Sequence, residues 1–172
     1  GVIEVENTNN QTLFTDIIIK KDTLRIYNIH LESIKITPDV HEIDDNINSI
    51  SEEKSKRIFK RISKSFKIQQ EQAEKIRLHK IKSPYPTILC GDLNNSAYSY
   101  VYRLISGNHN DAFIENGKGF GHTYNFKYYP ARIDYIFIEK NFIVKNFKTF
   151  NSFNQSDHFP ITCTIELKSN SN

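Results

Sequence analysis

Four polar islands interrupt the apolar runs of this 172-residue chain, and their residue types are those of hydrolytic chemistry. His30 closes the run Leu24–Ile29, and Asp92 and Asn94 sit in Gly91-Asp92-Leu93-Asn94, directly after Pro86–Cys90. Asp134 lies in Arg132-Ile133-Asp134-Tyr135, which opens Ile136–Ile138. Asp157 and His158 lie in Ser156-Asp157-His158-Phe159-Pro160, ahead of Ile161–Leu167. Carboxylates and imidazoles at the ends of apolar strands can be converged by a scaffold on one point. A site for hydrolysing phosphate esters is built that way.

Asp92 and Asn94 are two residues apart, so an extended backbone points both side chains the same way. The carboxylate can orient or deprotonate a water while the amide holds its oxygen. The same tetrapeptide, made of turn-forming residues, also reads as a plain turn. Asp134 sits inside an apolar run, where an unpaired charge is costly, so it requires a partner. Arg132 and an imidazole are candidates. His158 is the better one, because it too heads an apolar strand and Pro160 restrains the backbone behind it. An Asp–His pair fixes the imidazole tautomer and raises its basicity. Asp157 adds a hard oxygen ligand suited to Mg²⁺. His30 could donate to a phosphate oxygen. His41, His79, His109 and His122 fall in loops or on a charged helix and carry no role.

The elements that must position these groups follow from periodicity. Short β-like runs are expected at Val2–Val5, Leu13–Lys20 and Leu24–His30, the last two joined by a hairpin at Lys21-Asp22-Thr23. Residues 37–51 lack a period and contain Pro38, so they read as a surface loop. From Glu52 to about Ile81, Ile58, Ile62, Phe66, Ala73 and Ile76 recur at helical spacing, and Ser51 with Glu52 and Glu53 marks a helix start. Pro84 and Pro86 end that helix. Thr87–Cys90 reads as a strand, Ser96–Ile105 as a second helix stopped by Gly107, and Asp111–Ile114 as a brief strand. Gly117, Gly119 and Gly121 mark a loop with no strand-then-helix frame for phosphate. Strands follow at Arg132–Ile138, Ile143–Phe147 and Ile161–Leu167, and the polar tail 168–172 is expected to fray. Ile17-Ile18-Ile19 and Ile136-Phe137-Ile138 are apolar on both alternating faces, which predicts strands covered on both sides in a layered α/β sandwich.

Composition narrows the class without choosing it. No apolar run approaches the roughly 18 residues that cross a membrane, and no basic-then-apolar leader opens the chain. The lack of any methionine predicts a start upstream. Cys90 and Cys163 read as buried structural thiols. The net charge of +3 is uneven: residues 52–82 hold eleven Lys/Arg against four Glu, a pattern that reads as a solvated helix face, with a nucleic-acid patch as the alternative.

In their order, the three motifs around Asp92, Asp134 and His158, with Tyr27-Asn28-Ile29-His30-Leu31 ahead of them, resemble the endonuclease/exonuclease/phosphatase superfamily of deoxyribonuclease-like phosphodiesterases. The likeness runs from about Leu13 to Leu167. It implies a layered α-β-β-α sandwich of mixed sheets, of which residues 1–172 form only the C-terminal part. It also implies that His30 contacts the scissile phosphate and that Asp92 orients or deprotonates the water, or protonates the leaving oxygen, with Asn94 aligning it. Asp134 would pair with His158, which serves as base or stabilises the transition state, and Asp157 would help hold Mg²⁺, with Mn²⁺ or Ca²⁺ as alternatives.

The family's first half supplies a phosphate-binding Asn and the chief metal-ligating Glu, and no segment here matches either. Glu4 and Glu6 lie in the wrong context. This chain alone is therefore expected to be inactive and to expose an apolar sheet face, covered by the missing N-terminal half or by a second copy. The expected substrate is a phosphate ester, nucleic acid or phospholipid, and the localisation of the parent, membrane-tethered or cytoplasmic, is left open. The competing expectation is a non-catalytic binding or structural module that retains the fold. Aromatics near the site, Tyr124, Phe126, Tyr128 and Tyr129, could stack on bases or line a core edge.

Overall fold

A computed structural model of the chain describes residues 1–34, 51–126 and 130–168. Strand β1 (Val2–Ile3) is shorter than its apolar run and pairs antiparallel with β2 (Thr12–Ile19). The expected hairpin joins β2 to β3 (Asp22–His30), but Ile19 pairs with Asp22, so its turn is Lys20-Lys21. Helix α1 spans Glu52–Ile81, with Ser51 as its cap accepting from the Lys54 N–H and Glu52 and Glu53 in the first turn. Those carboxylates lie where the helix dipole favours negative charge.

Helix α1 carries the chain over the sheet from β3 to β4 (Thr87–Asp92). The two strands are parallel, with Ile26 opposite Ile88 and His30 opposite Asp92. Helix α2 (Tyr100–Ser106) starts later than its apolar pattern implies, because Ser99 caps it by accepting from the Tyr102 N–H. Gly107 stops it at φ 54°. The brief strand expected over 111–114 is corrected. Only β5 (Asn110–Asp111) is extended, and α3 (Ala112–Asn116) follows, because the Asp111 carboxylate accepts from the Phe113 N–H at 3.0 Å and so caps a helix. Strand β6 (Asp134–Ile138) runs antiparallel to β4 and sets Asp134 opposite Asp92.

These six strands form one sheet in the order β1-β2-β3-β4-β6-β5. Strands β7 (Phe142–Thr149) and β8 (Ile161–Leu167) form a second, two-stranded sheet. One core lies between the first sheet and the helices: Tyr27, Ile29, Leu89 and Phe137 pack on Ala73 and Ile76 of α1 and on Val101 and Ile105 of α2. The other lies between the sheets, where Leu24, Ile88 and Ile138 meet Val144 and Phe147. Each such side chain contributes roughly 1.5–3 kcal/mol by leaving water. The layers are helices, mixed sheet and second sheet, a layered α/β sandwich.

The two-faced reading holds for β6, where Phe137 faces the helices while Ile136 and Ile138 face the second sheet. It fails for β2. Ile17, Ile18 and Ile19 are 39%, 76% and 53% exposed; Ile17 and Ile19 share the face of Leu24, where the two-stranded sheet covers β3, β4 and β6 and stops short of β2. The thiols of Cys90 and Cys163 are half-buried rather than enclosed.

Candidate active site

Delivering Asp92 to the sheet edge requires β4 to pass very close to β3. Gly91 allows it: its φ is 135°, and a Cβ there would lie 1.9 Å from the Ile29 carbonyl oxygen. No other residue fits that position. The chain then turns at Asn94, whose φ of 47° is a left-handed conformation that asparagine tolerates. The extended-backbone reading of Asp92 and Asn94 is thereby corrected. The Asn94 backbone N–H donates to Asp92 Oδ1 at 2.7 Å, and its side-chain amide donates to the Leu31 carbonyl at 2.9 Å. Asn94 thus ties the Asp92 turn to the segment leaving His30.

Four of the expected residues meet at this edge. His158 Nδ1 lies 2.9 Å from Asp134 Oδ2 and donates to it. Asp92 Oδ2 is 3.7 Å from His30 Nε2 and 4.0 Å from His158 Nε2. Asp92, Asp134 and His158 each offer a ligand atom within 4.8 Å of the others, a possible metal site. His30 is the outermost, with its side chain more than half exposed. Asp157 is exposed and lines the same cleft without joining that cluster. Its carbonyl accepts from the Asn125 N–H at 2.7 Å, which fixes the strand end that presents His158. The cleft encloses about 830 Å³.

Electrostatics separate the groups. Burial, reinforced by the charge of Asp134, pushes the Asp92 carboxyl up to about 6 against the opposing Asn94 N–H bond. The hydrogen bond to Asp134 raises His158 above the ordinary imidazole value. Asp92 therefore changes charge near neutral pH, and His158 tends to keep its proton.

Arg132 is not the partner of Asp134. Its guanidinium meets Asp111 at 2.6 Å and lies between the rings of Phe113 and Tyr135, at 4.8 and 4.7 Å. Asp111 also accepts from the Tyr102 hydroxyl at 2.8 Å. Three supports escaped sequence reasoning. Thr123, fully buried, accepts from the Ile133 and Asp134 N–H groups at 3.1 and 3.0 Å. Gln69, also fully buried, donates to the Glu32 carbonyl at 2.7 Å and accepts from the Asn95 amide at 2.9 Å. Gln72 accepts from the Glu32 N–H at 2.8 Å. A signal existed for Gln69: it continues the apolar stripe of α1, where a polar residue must find partners.

Tyr124 packs its ring against His158, with centroids 4.9 Å apart, and Phe126 stacks on Tyr124. Tyr128 and Tyr129, all but Ser51 of the loop expected over 37–51, including His41, and most of the tail lie outside the described residues. Among the other histidines, His79 bonds the Tyr27 hydroxyl and His109 the Thr87 hydroxyl, both away from the cleft.

A six-stranded mixed sheet backed by helices and by a two-stranded sheet defines a layered α/β sandwich, and solved structures share that fold. The mannosyl-6-phosphatase Bt3783 of Bacteroides thetaiotaomicron superimposes with a TM-score of 0.57 at 18% identity, over 92% of this chain and 57% of that one. The human Nocturnin catalytic domain gives 0.59 at 18%, over 94% and 54%. Humanized TDP2 of D. rerio gives 0.65 at 16%, over 96% and 65%. The chain thus spans roughly 54–65% of the length of these structures, and the likeness is one of fold. No curated protein sequence matches the chain. Residues 62–158 match the Endonuclease/Exonuclease/phosphatase family, and the chain belongs to it. Members of that family are hydrolases of phosphate esters, phosphatases and nucleases among them, and typically depend on a metal ion.

Proposed function

We propose that the chain supplies the aspartate–imidazole part of a metal-dependent phosphoesterase that cleaves a phosphodiester, in nucleic acid or phospholipid, by attack of an activated water. The observation that carries this reading is the 2.9 Å His158–Asp134 bond standing behind the convergence of His30, Asp92 and His158. Asp134 fixes the imidazole so that Nε2 faces the Asp92 carboxylate. Asp92, ionised above about pH 6, takes a proton from the attacking water and returns it to the leaving oxygen. The water oxygen bonds phosphorus as the ester P–O bond breaks. His158, protonated, and His30 donate to the phosphate oxygens as negative charge gathers there.

The donor set fits a hard divalent cation. It is rich in carboxylate oxygen, with Asp92 and Asp134 offering oxygens within 4.8 Å of each other and of His158. Asp157, lining the same cleft, would help hold Mg²⁺, with Mn²⁺ or Ca²⁺ as substitutes. When bound, the cation neutralises charge on the phosphate oxygens.

Polypeptide outside residues 1–172 completes the site and covers β2, so these residues alone are inactive. The test is turnover of bis-p-nitrophenyl phosphate, DNA and phospholipid vesicles with Mg²⁺, by these residues and by a longer natural chain. Turnover by the longer chain alone, stopped by EDTA and reduced about 10²–10⁴-fold by His158→Ala, is the expected result. No turnover by either on any substrate would overturn the reading.

A further inference from the structure

Helix α1 is longer than the sheet it packs on. Its buried residues begin at Ser65, which donates to the Ser33 carbonyl at 3.1 Å, and Gln69 bonds the Glu32 carbonyl. Those contacts are level with the segment leaving His30, at the catalytic edge. Residues 52–64, about 20 Å of helix, precede them and contain no buried residue, with Lys54, Ile58, Ile62 and Ser63 half-buried.

The overhang and the turn that follows it have a distinct chemistry. Residues 52–67 hold seven Lys/Arg against two Glu, a net +5 in a chain whose total is +3. Arg57, Lys60, Lys64 and Lys67 are exposed. Beside them Phe59 is 73% and Phe66 45% exposed. Phe59 and Phe66 are seven residues apart and so share one stripe of the helix; Lys60 and Lys67 form a parallel stripe next to it. Two phenyl rings in water beside a row of ammonium groups is an unfavourable arrangement unless something covers both.

We propose that this overhang is an interfacial helix that docks the catalytic edge onto an anionic phospholipid surface. A bilayer surface accommodates both stripes at once, the rings in the acyl boundary and the ammonium groups among headgroup phosphates. A nucleic-acid duplex, with its bases stacked inside, would satisfy the lysines and leave the rings in water. No helix among the described residues is long and apolar enough to cross a membrane. The inference is argued from the placement and chemistry of α1; naming the docked edge catalytic rests on the proposed function, and because the readout is binding, failure of either is distinguishable.

The intact protein is sedimented with phosphatidylcholine vesicles, with vesicles containing about one-third phosphatidylserine, and separately titrated with a short DNA duplex. Retention by the anionic vesicles, weakening as salt rises, is expected. The triple change Lys60→Gln, Lys64→Gln, Lys67→Gln weakens it about 100-fold, and Phe59→Ser about tenfold without any change in charge. Hydrolysis of a small soluble ester is unchanged in both variants, and circular dichroism reports whether the helix persists. Equal retention by neutral vesicles, no retention by anionic ones, or duplex binding that is tighter than vesicle binding and indifferent to Phe59→Ser would each overturn the proposal.

Discussion

His158 holds its proton more tightly than a free imidazole because Asp134 accepts its Nδ1–H. Since the folded-state value is raised, this bond stabilises the fold fully below about pH 6.5 and ceases to do so as pH rises through that raised value. Asp134→Asn should return the His158 titration, followed by NMR, toward an ordinary imidazole and remove the acid-side gain in stability; an unchanged titration would contradict the pairing. Asp92 behaves oppositely in chemistry, being useful as the anion. Activity of the intact enzyme should therefore climb through about pH 6, and Mg²⁺ added to unbuffered protein near that pH should release protons. Constant pH on addition would argue against a cation beside this carboxylate. At this scale the polar islands were legible because a charge at the end of an apolar strand is conspicuous. The use of Arg132 was not, since its partner Asp111 lies twenty-one residues away and no local pattern joins them.

Among the elements, α1 was read almost to the residue, from its apolar period, its serine cap and its early glutamates. The stretch after α2 was misread because Asp111 looks like the start of a strand, whereas its carboxylate opens α3. Gly91 shows why motif glycines deserve a backbone argument. Replacing it with alanine forces both a left-handed residue and a contact with the Ile29 carbonyl that cannot be made. Gly91→Ala should cost more than the roughly 1–3 kcal/mol of the backbone conformation alone. A urea midpoint indistinguishable from wild type would show that β3 and β4 can separate at little expense.

For the molecule as a whole, the open face of β2 sets the terms of its behaviour. Leu13, Ile17 and Ile19 share a face with Leu24, which the second sheet covers, yet they themselves stay exposed. Local sequence could not reveal this, because three consecutive isoleucines look alike in a covered strand and in an uncovered one. Residues 1–172 alone should self-associate, and Ile17→Thr with Ile19→Thr should shift sedimentation velocity toward the monomer. A monomeric parent fragment at high concentration would count against that. The site also straddles both layers: Asp134 belongs to the six-stranded sheet, while His158 lies just ahead of β8 in the other. A hydrogen bond of 2.9 Å tolerates little sliding, so chemical competence and the docking of one layer on the other are a single variable. Loosening Val144 or Phe147 in the inter-sheet core would disarm the imidazole well before the chain came apart.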